Sequence, residues 1–179
     1  MSTKNHLNIR ALTEGAMLVA AAQVLSLIKL YEFPQGGSVT AAMFPILLYA
    51  VRWGTGRGLL AGFVFGCLQL IFDGAYAWGW QSIVLDYLLA FTPLGLAGIF
   101  PGTILGCAAR FAVHYFSGVT VYRINMPTEI PGFGVFDSAE VYSLVYNGCY
   151  MLPCALIALV IAAALYVPMR PFFTGRDLR

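Results

Sequence analysis

Long apolar runs alternate with short polar, glycine- and proline-rich breaks along this chain. Six runs stand out, over about 10–30, 39–53, 59–72, 81–100, 103–122 and 141–167. A helix rises 1.5 Å per residue, so about 20 apolar residues cross the hydrocarbon core of a bilayer. The pattern predicts six membrane-spanning helices in a single membrane domain, residues 1–179. The run at 39–53 is short and contains Pro45. Interrupted membrane helices often line cavities, where freed backbone groups find other partners.

The breaks carry their own signals. In YEFPQGGSVT, residues 31–40, Pro34 and Gly36-Gly37 forbid helix, which leaves either a flap over something or an ordinary turn. RWGTGRG, residues 52–58, has a phosphate-loop-like G-x-G spacing, but no strand precedes it and membrane spans flank it, so it reads as a tight loop. YRINMPTEIPGFGVFDSAE, residues 122–140, is the longest polar stretch and separates the last two spans.

Composition turns this pattern into a class. The chain is 60% hydrophobic and 10% charged, with mean hydropathy +0.79. Soluble domains carry about 45–50% apolar and about 25% charged residues, so there is too little charge here to coat a water-facing surface. The fold class is an all-α integral membrane protein, and its main partner is the lipid bilayer. A net charge of +2 without a Lys/Arg cluster argues against nucleic acid. Two positive charges precede the first run, as in a signal peptide, but the run is long and more spans follow, so it is read as a retained helix. Cys67, Cys107, Cys149 and Cys154 lie in apolar runs without metal-type spacing, and neither a metal nor a cofactor is expected.

Charge also orients the chain. With six spans, Lys4, Arg10, Arg52, Arg57, Arg170, Arg176 and Arg179 fall on one side, and Lys29 and Arg123 on the other. Seven against two places both termini in the cytoplasm. The far side then holds Glu32, Asp73, Glu129, Asp137 and Glu140, an acidic vestibule that favours a cation.

The candidate chemistry centres on Asp86, a carboxylate inside an apolar run. An ionisable group within a membrane helix is costly and points to a functional site. In the predicted topology Asp86 lies about 8 Å inside the outer face. His114 sits at a similar depth on the fifth span, with Arg110 one turn deeper on the same face. Tyr122 ends that span, while Tyr142, Tyr146 and Asn147 open the sixth and Tyr76 lies in the loop above. Such a group fits a pocket for a small, flat, polar or cationic molecule. Aromatic faces attract a cation by about 0.5–2 kcal/mol. Plainer accounts stand beside it: an interfacial aromatic belt, a locally satisfied His, and a buried Asp86–Arg110 ion pair. On the first span Ala16 and Ala20 are four apart beside Gly15 and Ala21, a flat face for internal packing or for a partner.

The segments PILLYAVRWG, GLLAGFVFG, DYLLAFTPLGLAGIF, RFAVHYFSGV and YSLVYNG resemble the thiamine-specific S component of energy-coupling factor (ECF) transporters, the ThiT or YuaJ type. The resemblance covers nearly the whole chain. It implies six helices holding thiamine near the outer face of a prokaryotic plasma membrane. It also implies an ECF module of two ATPase subunits and a transmembrane coupling protein. By this resemblance Asp86 is the acid beside the thiazolium, His114 stacks on that ring and Tyr122 is its aromatic partner. Tyr142 and Asn147 bond the aminopyrimidine, and Tyr76 and Tyr87 belong to the pocket. Ala16 and Ala20 become the face on which the module docks. The chain departs from the family at Tyr122, where a tryptophan is usual, and at Asp86, where some members carry glutamate. Thr40 stands where a pyrimidine-contacting glutamate is expected, and a flap tryptophan is replaced near Gly36. A transporter subunit is not an enzyme. The alternatives are an S component for another vitamin or a thiamine precursor, an intramembrane enzyme, and a structural membrane protein. A protease would need a Ser/His or paired-Asp arrangement, and only Asp86 lies in a span.

Overall fold

The computed structural model describes residues 3–74, 77, 79–98, 102–123 and 126–178. Helix α1 (Thr3–Leu27) leads into a hairpin of β1 (Tyr31–Glu32) and β2 (Ser38–Val39), then α2 (Met43–Trp53) and α3 (Thr55–Asp73). Next come α4 (Gly79–Gly98), α5 (Gly102–Tyr122) and a second hairpin of β3 (Thr128–Ile130) and β4 (Gly134–Phe136). Helix α6 (Ala139–Tyr166), the short α7 (Arg170–Phe173) and a 3-10 turn at Arg176–Leu178 complete the described chain.

Five helices, α1, α3, α4, α5 and α6, are long and apolar enough to cross a membrane. The run at 39–53 becomes something different. Val39 belongs to β2, and α2 has 11 residues, about 16 Å of helix and half a hydrocarbon core. Pro45 does not interrupt it. It sits in the first turn, where a missing N–H leaves no intrahelical bond unmade. Met43, Ile46, Leu47 and Ala50 are buried in the core with Val19, Ala22, Phe65, Phe91, Leu94, Cys154 and Ala158. Outward faces carry Leu12, Met17, Val24, Leu60, Ile71, Leu152 and Val160, which suits a lipid surround.

Helix α4 is wound unevenly. Ile83–Leu89 is π-helical and Thr92–Gly98 is 3-10. Pro93 has no N–H to give the carbonyl of Leu89, which removes one α-helical bond at the change of winding. The Thr92 hydroxyl donates to the Leu88 carbonyl at 2.7 Å. Single π-turns in helices favour functional sites, and this one carries Asp86. Glycines hold the strand of chain against its neighbour. A Cβ on Gly62 or Gly66 of α3 would press into the carbonyl oxygens of Phe91 or Tyr87, and one on Gly95 into the backbone of Leu59. Small residues thus let α3 and α4 pack backbone to backbone, and that contact fixes the height and rotation of Asp86.

The bundle has one knotted end. The Arg52 side chain is fully buried, and its guanidinium donates to both Glu14 oxygens at 2.6 and 3.0 Å. It also donates to both Asp177 oxygens at 2.7 Å and to the Phe172 carbonyl at 2.8 Å. Arg10 pairs with Glu14 at 2.8 Å and with Asp177, and the Trp53 indole donates to Glu14 at 2.8 Å. This knot fastens the C-terminal segment to α1 and α2. Asp177 is held well below the usual carboxylate range by the Arg52 hydrogen bonds, against the opposing pull of burial. At the other end Lys29 bonds Glu32 at 2.7 Å and Asp73 at 3.2 Å, tying the first hairpin to α3.

Candidate functional site

A cavity of about 120 Å³ lies between α3, α4, α5 and α6 under the first hairpin. Its titratable centre is Asp86. The Ser82 hydroxyl, one helical turn earlier, donates to Asp86 Oδ2 at 2.6 Å, and His114 Nδ1 meets Asp86 Oδ1 at 3.1 Å. The Asp86 side chain is 27% exposed and the His114 side chain 11%, and both line the cavity, the carboxylate the more open of the two. His114 Nε2 has no partner among the described residues. The Asp86–Arg110 ion pair, one of the plainer accounts of these residues, does not form. Asp86 pairs with His114, and no carboxylate lies within 4.0 Å of Arg110 among the described residues. Arg110 instead stands over Phe91, its guanidinium carbon 4.3 Å from the ring centroid.

Tyrosines build one wall. Along α6, Tyr142, Tyr146 and Tyr150 recur every four residues and share a face. Tyr142 and Tyr146 stack at 5.6 Å with planes 8° apart, and Tyr150 meets Tyr146 edge-on at 5.6 Å. Phe91 and Tyr150 each stand edge-on to His114 at 6.2 Å. Asn147 lines the cavity, yet its amide donates to the Ser143 carbonyl at 2.9 Å and to the Ser143 hydroxyl at 3.1 Å. A longer bond reaches the His114 carbonyl at 3.4 Å, and Asn147 Oδ1 accepts from the Tyr150 hydroxyl at 2.8 Å. In this arrangement Asn147 braces α5 against α6.

The hairpin closes over this wall. Gly36 has φ +88°, a left-handed conformation that glycine adopts without strain and a tryptophan would not. The Gly37 amide donates to the Tyr146 hydroxyl at 2.8 Å, and a Cβ on Gly37 would fall 2.7 Å from Tyr150. Phe33, 8% exposed, packs edge-on to Tyr146 at 5.8 Å. The segment that the sequence left as flap or turn is therefore an ordered strap seated on aromatic rings.

The structure brings Thr40, Asp86, Tyr87, His114, Tyr142 and Asn147 to one cavity. Tyr87 donates its hydroxyl to the Asp73 carbonyl at 2.9 Å, and the Thr40 amide donates to Cys154 Sγ at 3.3 Å. Tyr76, Trp78 and the Tyr122 side chain lie outside the described residues. Ala16 and Ala20 are away from the cavity and exposed on α1, whereas Gly15 faces inward against the Tyr49 ring. Sequence reading passed over Ser82, Ser26 and Gln69. Gln69 Nε2 donates to Gln23 Oε1 and to the Ser26 hydroxyl, both at 2.9 Å. The available signal was a lone amide inside the apolar run 59–72 and a hydroxyl four residues before Asp86.

Comparison with known proteins converges on one family. The thiamine transporter protein family (Thia_YuaJ) matches residues 12–174. The thiamine transporter ThiT of Bacillus subtilis is 29% identical, over 87% of this chain and 90% of its own length. ThiT of Lacticaseibacillus paracasei is 26% identical over 97% of this chain and 95% of its own. The solved structure of ThiT from Listeria monocytogenes superposes with a TM-score of 0.78 at 26% identity, covering 93% of this chain and 98% of that one. These relatives are named as transporters, so the enzyme alternative gives way. With five membrane-length helices and a family match spanning nearly all of its length, the chain belongs to the thiamine transporter protein family and is a multi-pass protein of a prokaryotic plasma membrane.

Proposed function

We propose that this chain is the substrate-capturing S component of a vitamin uptake system, and that thiamine is its ligand. One observation carries the reading most directly: a carboxylate held by Ser82 and His114 faces an aromatic-walled cavity inside a membrane bundle. A thiazolium is a flat cation. Asp86 would stand beside it while His114 and the tyrosine face supply the ring contacts. A cavity of about 120 Å³ is the size that accepts a single small ring, so a two-ring ligand requires the strap over residues 31–39 to lift or shift. The strap is held by reversible contacts: Gly37 to Tyr146, Thr40 to Cys154 and Lys29 to Glu32 and Asp73. It therefore acts as the entry lid.

The lid end faces outward and the Arg52 knot faces the cytoplasm, as the seven-to-two charge asymmetry implies. Energy comes from an ECF module of two ATPase subunits and a coupling protein, which docks on the exposed Ala16/Ala20 face of α1. Orientation is checked by single cysteines in residues 126–138 of a cysteine-free variant, which react with an impermeant thiol reagent on intact cells. The central experiment is calorimetric titration of the purified protein with thiamine. One saturable site per chain is expected, with no turnover of the ligand. Absence of thiamine binding by folded protein would overturn the reading and favour a different vitamin.

A further inference from the structure

Arg110 is the cation that the proposed thiamine site does not use. It is 9% exposed, lines the cavity and lies one turn deeper on α5 than His114. Its Nε has no hydrogen-bond partner, and no carboxylate approaches within 4.0 Å among the described residues. Its guanidinium stands over the face of Phe91, a contact that does not neutralise it. Arg52 shows what a satisfied arginine looks like in the same fold, with five hydrogen bonds to two carboxylates and a carbonyl. A buried guanidinium that lacks such partners is poised to receive an anion.

Charge placement gives the same answer. Two carboxylates line the cavity, Asp86 and Asp73. Asp73 is tied to Lys29, and Asp86 to His114 and Ser82, so neither stands against Arg110. A cationic ligand seated beside Asp86 leaves the Arg110 guanidinium without a counterion of its own, and burying an unpaired charge is unfavourable. We propose that the Arg110 end of the cavity is an anion subsite, and that an anionic group bound there makes room electrostatically for the cationic ligand. This rests on the reading of the cavity as a thiamine site. The anionic group has two possible sources, a free small anion from solution or a phosphate ester on the ligand itself.

The experiment uses the full chain in detergent and has three arms. In the first, thiamine is titrated in chloride and in gluconate media of equal ionic strength. A free-anion subsite gives affinity about ten- to a hundredfold tighter in chloride, the range for one charge-assisted contact. In the second, the monophosphate ester of thiamine is titrated in gluconate. A ligand-borne anion gives tighter binding than thiamine by a similar factor, with little chloride effect on thiamine itself. Whichever advantage appears must vanish in Arg110→Gln and persist in Arg110→Lys, which keeps the charge. The third arm omits thiamine: chloride raises the Tm of the wild-type protein above its value in gluconate, and Arg110→Gln removes that rise. Wild-type protein with no anion effect in any arm, or an effect unchanged in Arg110→Gln, overturns the subsite. If thiamine and its ester fail to bind while the third arm behaves as expected, the thiamine reading falls and the anion subsite stands.

Discussion

Replacing Asp86 by Asn removes one negative charge and almost nothing else. The amide oxygen still accepts from the Ser82 hydroxyl, now at 2.6 Å to Oδ2, and the new NH2 faces His114 Nδ1 where Oδ1 lies at 3.1 Å. The fold should persist. A carboxylate about 4 Å from a thiazolium contributes about 4 kcal/mol at an effective dielectric near 20, before desolvation. Asp86 keeps 27% of its side chain exposed, which screens part of that attraction. The net loss should fall near the range for a charged hydrogen-bond partner, about 1–3 kcal/mol, or about five- to 150-fold in Kd. Calorimetry should compare thiamine with an uncharged analogue in which a neutral ring replaces the thiazolium. The substitution should weaken thiamine by that amount and leave the neutral analogue nearly unchanged. Equal losses for both ligands would mean that Asp86 serves only to orient His114, and the electrostatic argument would be wrong.

Other sites give independent checks. Gly66→Leu should cost about 1–3 kcal/mol by overpacking and impair binding, because the side chain meets the Tyr87 carbonyl beside Asp86. Gly56→Ala on the same helix meets nothing within 4 Å and should leave Tm and binding unchanged or slightly improved. Asp177→Asn should lower Tm at neutral pH by the equivalent of about 1–2 kcal/mol, a discounted figure because Asp177 is 32% exposed. Its carboxyl is held below its ordinary value, so the stabilisation is complete above about pH 4 and is lost as pH falls further toward the lowered value. The gap in Tm between wild type and variant should therefore narrow in acid, and a gap independent of pH would refute the assignment. Ala16→Trp with Ala20→Trp should leave thiamine binding by the isolated chain intact while uptake and co-purification of the ECF module are lost. Loss of binding instead would mean that this face packs within the protein.

What the sequence determined here follows from solvent. Twenty apolar residues in a bilayer satisfy every backbone group only as helix, so α1, α3, α4, α5 and α6 were legible from run length alone. Asp86 was legible because a charge in such a run is expensive, and the tyrosines of α6 because their period of four keeps one face. Tertiary structure decided the rest. Pro45 reads as a break in a string of letters, but its effect depends on falling in the first turn of α2. Whether residues 31–39 form a turn or a strap depended on two short strands and on the rings of Tyr146 and Tyr150 beneath them, 107 or more residues later. The partner of Asp86 was also undecided. Both His114 and Arg110 lie on one face of α5. Although depth already put His114 level with Asp86, only the rotation and packing of α4 against α3 and α5 bring the carboxylate to the histidine and leave the arginine over Phe91. Local sequence fixes which segments are helices because the membrane acts on each segment separately. Which side chains meet is settled by helix rotation and height, quantities that arise only when the helices pack together.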